Sequence, residues 1–280
     1  MSLVKIDIFM KPFLSVIIPT CNRPELLRLC LAQLADNIQK FDRGLYEVIV
    51  TDDSSDDQTK EMIANDFIWI RYIKGPRKGP ASNRNNGARN ADGDWLIFLD
   101  DDCIPDSTLV SAYLGTIKKN PGIKVFEGKI YADRPQKRFD EIAPINLQGG
   151  YLWSCNFCID KLIFDSIGGF DEDYPYASME DMDFHKRLVK NGQAVLFESS
   201  ASVCHPWRKR KGRDWFEKEL ESLQIYLKKH PEEKKRFSFL YRLRFIKNRL
   251  QFIVKKAIKF RFQGIQIYWQ EFIFKLIHIT

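Results

Sequence analysis

The sequence lacks several features that would each assign it to a large class of proteins. It has no run of about 18 apolar residues, so we predict no helix that spans a membrane. It has neither G-x-G-x-x-G nor the Walker A pattern, which excludes a dinucleotide fingerprint and a P-loop. Its six cysteines fit no disulfide framework and no secretory signal precedes them, so we expect a reducing compartment. Cys155 and Cys158 form a single C-x-x-C pair, which buried thiols explain better than zinc or redox chemistry.

Acidic residues are also missing from one part of the chain, between Phe237 and Phe262. Residues 208–261 carry 19 Lys/Arg and 6 Asp/Glu, whereas the remainder carries 25 Lys/Arg and 31 Asp/Glu. We therefore divide the chain into a mildly acidic body, 12–207, and a basic helical extension, 208–280. The extension mixes apolar and basic residues at helical spacing, which suits a helix at an anionic membrane surface. One alternative is a helix that packs on the body. The other is a nucleic-acid partner, which we do not expect.

The body alternates short apolar runs with helical patterns. With 280 residues and 44% apolar composition, the chain is long enough for a sizeable core. The predicted early strands are Leu14 to Pro19, Tyr46 to Val50, Phe67 to Ile73 and Trp95 to Leu99. Strand and helix in alternation at this spacing predict right-handed βαβ units and a parallel α/β sheet.

Polar clusters follow three of these strands, at Thr20 to Arg23, Asp52 to Asp57 and Asp100 to Asp102. Ligands of open α/β sheets bind beyond the carboxyl ends of the strands. If the three strands are neighbours, the clusters converge on one crevice. Three consecutive carboxylates repel one another unless a cation or hydrogen-bond donors offset their charge, and oxygen ligands suit Mg2+ or Mn2+. The alternative is an ordinary acidic loop that caps a helix.

The later part of the body is less regular. We predict strands at Lys124 to Ile130 and Gln193 to Phe197, with an irregular segment, Arg134 to Ile145, between them. A glycine turn, Gly168 to Glu172, precedes a helix that begins at Ser178 to Asp183 and ends at Asn191-Gly192.

Five pieces of the body resemble the family 2 glycosyltransferases of the nucleotide-sugar-binding GT-A fold, and they occur in the family's order from about Phe13 to His205. They are Ser15 to Thr20; Val48 to Ser54; Arg84-Asn85-x-Gly87 before Gly93-Asp94-Trp95; the D-x-D of Asp100 and Asp102; and Gly168 to Glu172 followed by Glu180-Asp181. The resemblance implies a Rossmann-like, mostly parallel sheet flanked by helices.

The resemblance also implies roles for individual residues. Donor-binding roles fall on Pro19, Thr20, Asn22, Arg23, Asp53, Arg84, Asp100 and Asp101. Metal-binding roles fall on Asp102 and, by position only, on His205. Asp181 would be the catalytic base, and Glu180 beside it would contact the acceptor.

Each of these positions has a simpler alternative. Asn22 and Arg23 suit a helix cap, Arg84 a solvated helix face, and His205 a structural histidine. Glu180 and Asp181 suit an ordinary acidic first turn of a helix. Trp153, beside Tyr151, suits either stacking on an acceptor sugar or core packing.

We therefore expect an inverting enzyme that uses Mn2+ or Mg2+ to move a single sugar from a nucleotide-diphosphate sugar to a hydroxyl group. UDP is favoured from family frequency, and the acceptor is expected to be a saccharide or lipid-linked saccharide in envelope or surface polysaccharide synthesis. The Q-x-x-R-W motif of processive synthases is absent, which argues for single additions. We expect a cytoplasmic location, peripheral on the inner face of the membrane. The alternatives are a sugar-phosphate nucleotidyltransferase, although the loop Thr20 to Pro24 has no glycine, and a catalytically inactive binding module.

Overall fold

The computed structural model describes residues 12–210, 212–237 and 239–278, with the backbone alone at 235–237, 239–245 and 276–278. The strands are β1 (Leu14–Thr20), β2 (Tyr46–Asp52), β3 (Arg71–Lys74), β4 (Trp95–Leu99), β5 (Ile104–Pro105), β6 (Val125–Tyr131), β7 (Glu141–Ile142), β8 (Asn156–Asp160), β9 (Val195–Cys204) and β10 (Arg208–Lys209). The helices are α1 (Pro24–Gln33), α2 (Asp36–Gln39), α3 (Gln58–Asp66), α4 (Pro80–Arg89), α5 (Leu109–Lys119), α6 (Lys161–Ser166), α7 (Glu180–Lys190), α8 (Arg213–Lys229), α9 (Phe239–Lys259) and α10 (Ile265–His278).

The first four strands form one parallel part of an eight-stranded sheet with the order β3-β2-β1-β4-β8-β6-β9-β5, and β6 and β9 form a second parallel pair. β1 pairs with β2 along its whole length and with β4 on its other side. The three strands are therefore neighbours, and their polar carboxyl ends lie at one edge, as predicted. The backbone N–H of Asp53 donates to the carbonyl of Thr20 (2.9 Å), which joins two of the clusters directly.

The other half of the sheet contains a strand that the sequence did not reveal. β8 runs antiparallel between β4 and β6, and its first four residues are buried, so its sequence shows no alternation of apolar and polar positions. β9 is also longer than the predicted Gln193 to Phe197, since it continues to Cys204 and pairs there with Ile104 of β5. This pairing brings His205 next to the acidic loop after β4.

Two predicted boundaries are wrong at their ends. The third strand was expected from Phe67 to Ile73, but the backbone of Phe67 still closes helix α3 by donating to Ile63, and the strand starts at Arg71. The apolar spacing predicted one helix from Glu25 to Asn37, but α1 ends at Gln33 and a separate short helix, α2, follows it.

The extension folds into α8, α9 and α10, and it packs on residues 136–142 of the body. Phe139 is buried in a small apolar cluster with Ile253, Phe260, Tyr268 and Phe272, and its ring stacks on Tyr268 at 4.1 Å between centroids. Among the described residues, no helix is both long and apolar enough to cross a bilayer.

Candidate active site

The three carboxylates after β4 have different main partners, although Arg23 contacts both Asp101 and Asp102. Asp101 is fully buried, accepts a hydrogen bond from Thr20 Oγ1 (2.6 Å) and pairs with Arg23 Nη2 (2.6 Å). Burial raises the pKa of Asp101 to about 7, with Arg23 and Thr20 acting in the opposite direction. Asp100 pairs with Arg84 (2.8 Å). Asp101 therefore anchors the loop, and Asp102 is left to face a different group.

Asp102 faces His205. Asp102 Oδ1 lies 3.2 Å from His205 Nε2, and both atoms are buried without a hydrogen bond of good geometry. His205 Nδ1 lies 3.1 Å from the carbonyl oxygen of Pro206, so a proton on Nδ1 donates there and leaves a lone pair on Nε2 aimed at the carboxylate. Burial acts to lower the pKa of His205, but the neighbouring Asp102 raises it above its usual value. A proton on Nε2 or a bound cation would satisfy both atoms.

A divalent cation fits this need. Neighbouring ligand atoms of an octahedral ion, each about 2.1 Å from the metal, lie about 3.0 Å apart, close to the observed separation. Cys103 Sγ is near enough to be considered with them, but its thiol donates to the carbonyl of Cys155 (3.7 Å). Among the described residues here, Asp102 and His205 are thus the two whose donor atoms suit Mn2+ or Mg2+, and their role as metal ligands stays a prediction.

Arg84 lies at the centre of the site and is 3% exposed, so the solvated helix face considered for it is wrong. Its guanidinium pairs with Asp100 (2.8 Å) and Glu180 (3.3 Å), which connects the acidic loop to the start of α7. Burial raises the pKa of Glu180 to about 8, as does the charge of Asp181, while Arg84 opposes both. Because Glu180 is 3% exposed and paired, its placement favours positioning Arg84 over contact with an acceptor.

Asp181 is the second residue of α7 and is only partly covered. Its Oδ2 accepts from the backbone N–H of Ser154 (3.2 Å), while its Oδ1 has no hydrogen-bond partner. Burial raises the pKa of Asp181, and Arg84 and the Ser154 N–H act against it. Met179, just before the helix, has φ +71°, a strained conformation for a side chain of its size. One oxygen of raised basicity and one fixed oxygen are what a general base needs.

The residues before Ser154 form an aromatic pair. The rings of Tyr151 and Trp153 stack with centroids 5.7 Å apart and planes 3° from parallel. Tyr151 is 56% exposed, whereas Trp153 packs against the core of the body. Glu127 fixes this loop by accepting from the backbone N–H groups of Gly150 (2.6 Å) and Tyr151 (3.0 Å). Tyr151 therefore provides the exposed face of the pair. It precedes Ser154, whose backbone N–H holds Asp181, in the same loop.

A cavity of about 610 Å³ opens above the carboxyl ends of β1, β2 and β4. Seven predicted donor residues line it: Pro19, Thr20, Asn22, Arg23, Asp53, Arg84 and Asp100. The eighth, Asp101, lies behind Thr20 and Arg23. Asp102 contacts the cavity wall through Arg23 (3.3 Å) and Arg208 (3.4 Å).

The residues of this wall that sequence reasoning missed include Arg77, Arg208, Lys209 and Trp215. Arg77 lies in the basic loop between β3 and α4, and its backbone N–H donates to Asp53 (2.8 Å). The other three were assigned to the extension, Arg208 and Lys209 by their charge and Trp215 as the start of a helix. Nothing in their spacing indicates that β10 returns to the body.

A second cavity of about 520 Å³ lies behind the turn Gly168 to Glu172, and none of the predicted site residues lines it. Its cations, Arg89 and Arg187, are already paired with Glu172 and Asp183. We therefore assign no chemistry to this second cavity.

Comparison with known proteins gives consistent findings. A sequence model described as Glycosyl transferase family 2 matches residues 15–162. The GalNAc(5)-diNAcBac-PP-undecaprenol beta-1,3-glucosyltransferase of Campylobacter jejuni is 40% identical over 118 residues, which are 40% of this chain and 36% of that protein. The chain thus spans about a third of that relative's length.

Two solved structures share the fold. TarS 1–349 of S. aureus, in complex with UDP-GlcNAc, has a TM-score of 0.55 at 23% identity, over 76% of this chain and 66% of that one. The mannosyltransferase PcManGT of Pyrobaculum calidifontis, in complex with GDP-Man and Mn2+, has a TM-score of 0.59 at 18% identity, over 79% and 65%. At these identities the likeness concerns the fold, an α/β sheet with flanking helices.

Proposed function

Because the chain belongs to glycosyl transferase family 2 and has the GT-A fold, we propose that it transfers one sugar, with inversion, from a nucleotide-diphosphate sugar to a hydroxyl group. The observation that carries this proposal is that the residues predicted to act together line or adjoin one cavity. Arg23, Arg77 and Arg208 line it, the Asp102–His205 pair adjoins it, and Arg84 connects it to the helix of Asp181.

The cavity suits a nucleoside diphosphate. Its wall carries four arginines and Lys209 against two carboxylates, Asp53 and Asp100, so it attracts an anion. A UDP-sugar is our first choice of donor, since UDP is common in the family and TarS was solved with UDP-GlcNAc. GDP-sugars come next, because PcManGT was solved with GDP-Man.

Asp102 and His205 would hold Mn2+ or Mg2+. When bound, such a cation stabilises the negative charge that develops on the leaving diphosphate. Arg23 and Arg208 contribute to the same stabilisation from the cavity wall. Their guanidinium groups contact the other Asp102 oxygen, Oδ2, and they carry further N–H donors for phosphate oxygens.

Asp181 acts as the base. Its unpaired Oδ1 takes the proton of the acceptor hydroxyl while that oxygen forms its bond to the anomeric carbon. The bond from the anomeric carbon to the diphosphate breaks on the opposite face, so the configuration inverts. Ser154 keeps Oδ2 in place, and Arg84 holds the neighbouring Glu180, so the carboxylate stays oriented during attack.

We propose a saccharide acceptor, because the exposed ring of Tyr151, stacked on Trp153, offers a flat apolar face on the loop that leads to Ser154, whose backbone N–H holds Asp181. A lipid-linked saccharide in envelope or surface polysaccharide synthesis is our preferred case. The name of the Campylobacter relative, which acts on an undecaprenol-linked glycan, supports this choice.

A lipid-linked acceptor agrees with the exposed face of α9, which we propose lies on an anionic membrane surface. Leu250, Val254 and Ile258 form a stripe at i, i+4 and i+8 and are 37%, 57% and 69% exposed. Lys255 and Lys259 are exposed beside this stripe, and no acidic residue occurs from Phe237 to Phe262. An apolar stripe next to a purely basic one complements a bilayer with anionic headgroups. All six cysteines are free, which suits the cytoplasmic side of that membrane.

The test is a panel of UDP-, GDP- and dTDP-sugars, each with and without Mn2+, read by thermal shift and then by product analysis with a saccharide acceptor. We expect one nucleotide class to stabilise the protein, more strongly with Mn2+, and turnover to release the nucleoside diphosphate. Release of pyrophosphate would instead indicate a nucleotidyltransferase, and binding without turnover on any saccharide acceptor would indicate an inactive binding module.

A further inference from the structure

One wall of the donor cavity comes from outside the five motifs and from outside residues 15–162. Arg208 and Lys209 of β10 line the cavity, together with Trp215 in the first turn of α8. β10 pairs antiparallel with β7, with Arg208 opposite Ile142, which is a further residue of the wall. The extension therefore takes part in forming the cavity.

We propose that the extension completes the donor site, and that Glu271 of α10 is the positioning residue that holds β10 in place so that Arg208 faces the nucleoside diphosphate. This inference rests on the proposed function. Glu271 itself does not line the cavity, so it acts through Arg210, which follows β10 directly in the chain.

Glu271 is 1% exposed and is surrounded by positive charge. Its Oε1 accepts from Arg210 Nη2 (2.6 Å) and Lys275 Nζ (2.6 Å), and its Oε2 accepts from Arg249 Nη2 (2.8 Å). Burial acts to raise the pKa of Glu271, but Lys275 and Arg210 lower it below its usual value. Since an unpaired buried charge is costly, Arg210 is held firmly as long as Glu271 is ionised.

The other contacts of Arg210 point the same way. Its backbone N–H donates to the carbonyl of Asp140 (2.7 Å), and its guanidinium lies over the ring of Tyr268, 5.0 Å from the centroid. Asp140 follows Phe139, whose ring stacks on Tyr268 and whose backbone N–H donates to Gln263 (3.0 Å). The end of β10 is thus fixed between the β7 segment and α10.

Arg208 is the residue through which this arrangement reaches the donor. Its Nη1 lies 3.4 Å from Asp102 Oδ2, the same oxygen that Arg23 Nη1 approaches at 3.3 Å. Arg208 is about half exposed in the cavity wall, so its remaining donors are accessible. Two guanidinium groups from different parts of the chain converge here, which is an arrangement suited to a diphosphate.

The experiment measures UDP affinity by calorimetry with Mn2+ on the full chain, beside the KM for the UDP-sugar and kcat. We expect Arg208→Ala to weaken UDP binding about 10-fold, as for the loss of one hydrogen bond to a charged group. We expect Glu271→Gln and the milder Arg210→Lys to weaken it about 3- to 10-fold and to raise KM more than they lower kcat. The matched control is Glu217→Gln on α8, whose exposed carboxylate pairs with Arg213 and should leave affinity unchanged.

The double variant Arg208→Ala with Glu271→Gln distinguishes positioning from general stability. If Glu271 acts through Arg208, the double variant binds UDP no more weakly than Arg208→Ala alone. Additive losses would overturn the inference, as would Glu271→Gln and Arg210→Lys variants that melt earlier but bind UDP normally. Failure of the wild-type chain to bind any nucleoside diphosphate would contradict the proposed donor site and this inference together.

Discussion

Two carboxylates of the body, Asp102 and Asp181, differ from Glu271 of the extension in how their buried oxygens are satisfied. In the body, Asp102 Oδ1 and Asp181 Oδ1 are buried without a hydrogen-bond partner. In the extension, Glu271 has three cationic partners. A folded protein normally satisfies its buried polar groups, and we propose that a cation satisfies the first of these oxygens and a substrate proton the second. The fully paired carboxylate of Glu271 instead marks a contact that stabilises the structure.

The largest effect should follow from changing Asp181, the base that we propose, whose Oδ1 has no hydrogen-bond partner. Asp181→Asn keeps the shape of the side chain but removes its basicity, so we expect kcat to fall about 1,000-fold. UDP affinity should stay within about twofold, because Asp181 does not line the donor cavity. Steady-state kinetics and calorimetry check the two numbers separately.

The control for this variant is Asp173→Asn, in the turn before α7. Asp173 is mostly exposed and pairs with Lys229, so its change should leave kcat nearly intact. An Asp181→Asn variant with normal turnover would remove Asp181 from the role of base. The comparison would then lose its clearest example of an unsatisfied carboxylate with a function.

The next largest effect should come from the other unsatisfied oxygen. Asp102→Asn leaves His205 without its carboxylate, so we expect kcat/KM to fall about 100-fold and the stabilising effect of Mn2+ on UDP binding to disappear. Chelation of the wild-type chain with EDTA should reproduce the loss, and added Mn2+ should restore the wild type but not the variant. If Asp102→Asn kept its response to Mn2+, the metal would have to bind elsewhere.

How much of this could be read from the sequence differs between the two regions. The apolar runs before Thr20, Asp52 and Asp100 predicted three strands, and the parallel pairing then determined that their polar ends meet. A local pattern was sufficient there because a buried strand and its polar end are adjacent in the chain. The roles given to individual residues of the site remain predictions that the variants must test.

The features that the sequence analysis missed depend on contacts between residues that are distant in the chain. β8 was missed because a strand buried on both faces carries no alternation to detect. Arg208 and Lys209 were predicted as the start of the extension, and their place in the cavity wall was missed because no local signal shows that β10 pairs with β7. Glu180 was predicted to touch the acceptor, but the burial of Arg84 beside it appears only once the two helices are packed.

A smaller effect should come from the exposed apolar stripe of α9, which belongs to the extension and not to the body. Val254→Asp with Ile258→Asp places two carboxylates in the apolar stripe of α9, so we expect binding to anionic vesicles to fall about 30-fold. Turnover on a soluble saccharide should not change. Co-sedimentation with phosphatidylglycerol vesicles at low salt measures the binding.

The matched control is Leu29→Asp, which changes an exposed apolar residue of α1 in the body. Equal losses in the two proteins would show that no particular face binds the vesicle. Retained binding after Val254→Asp with Ile258→Asp would refute the membrane role of α9, and a concentration-dependent dimer lost with the same variant would assign the stripe to a second copy of the chain.

The smallest effect should come from the acceptor side of the body. Tyr151→Ala removes the exposed ring of the aromatic pair, so we expect the KM for a saccharide acceptor to rise about 3- to 10-fold, while the KM for the donor stays constant. The same rise should occur with a soluble and with a lipid-linked acceptor, because Tyr151 would contact the sugar in both. Val254→Asp with Ile258→Asp should impair only the lipid-linked acceptor in vesicles. If Tyr151→Ala instead affected the lipid-linked acceptor alone, the ring would contact the lipid carrier, and recognition of the sugar would have to lie elsewhere in the body.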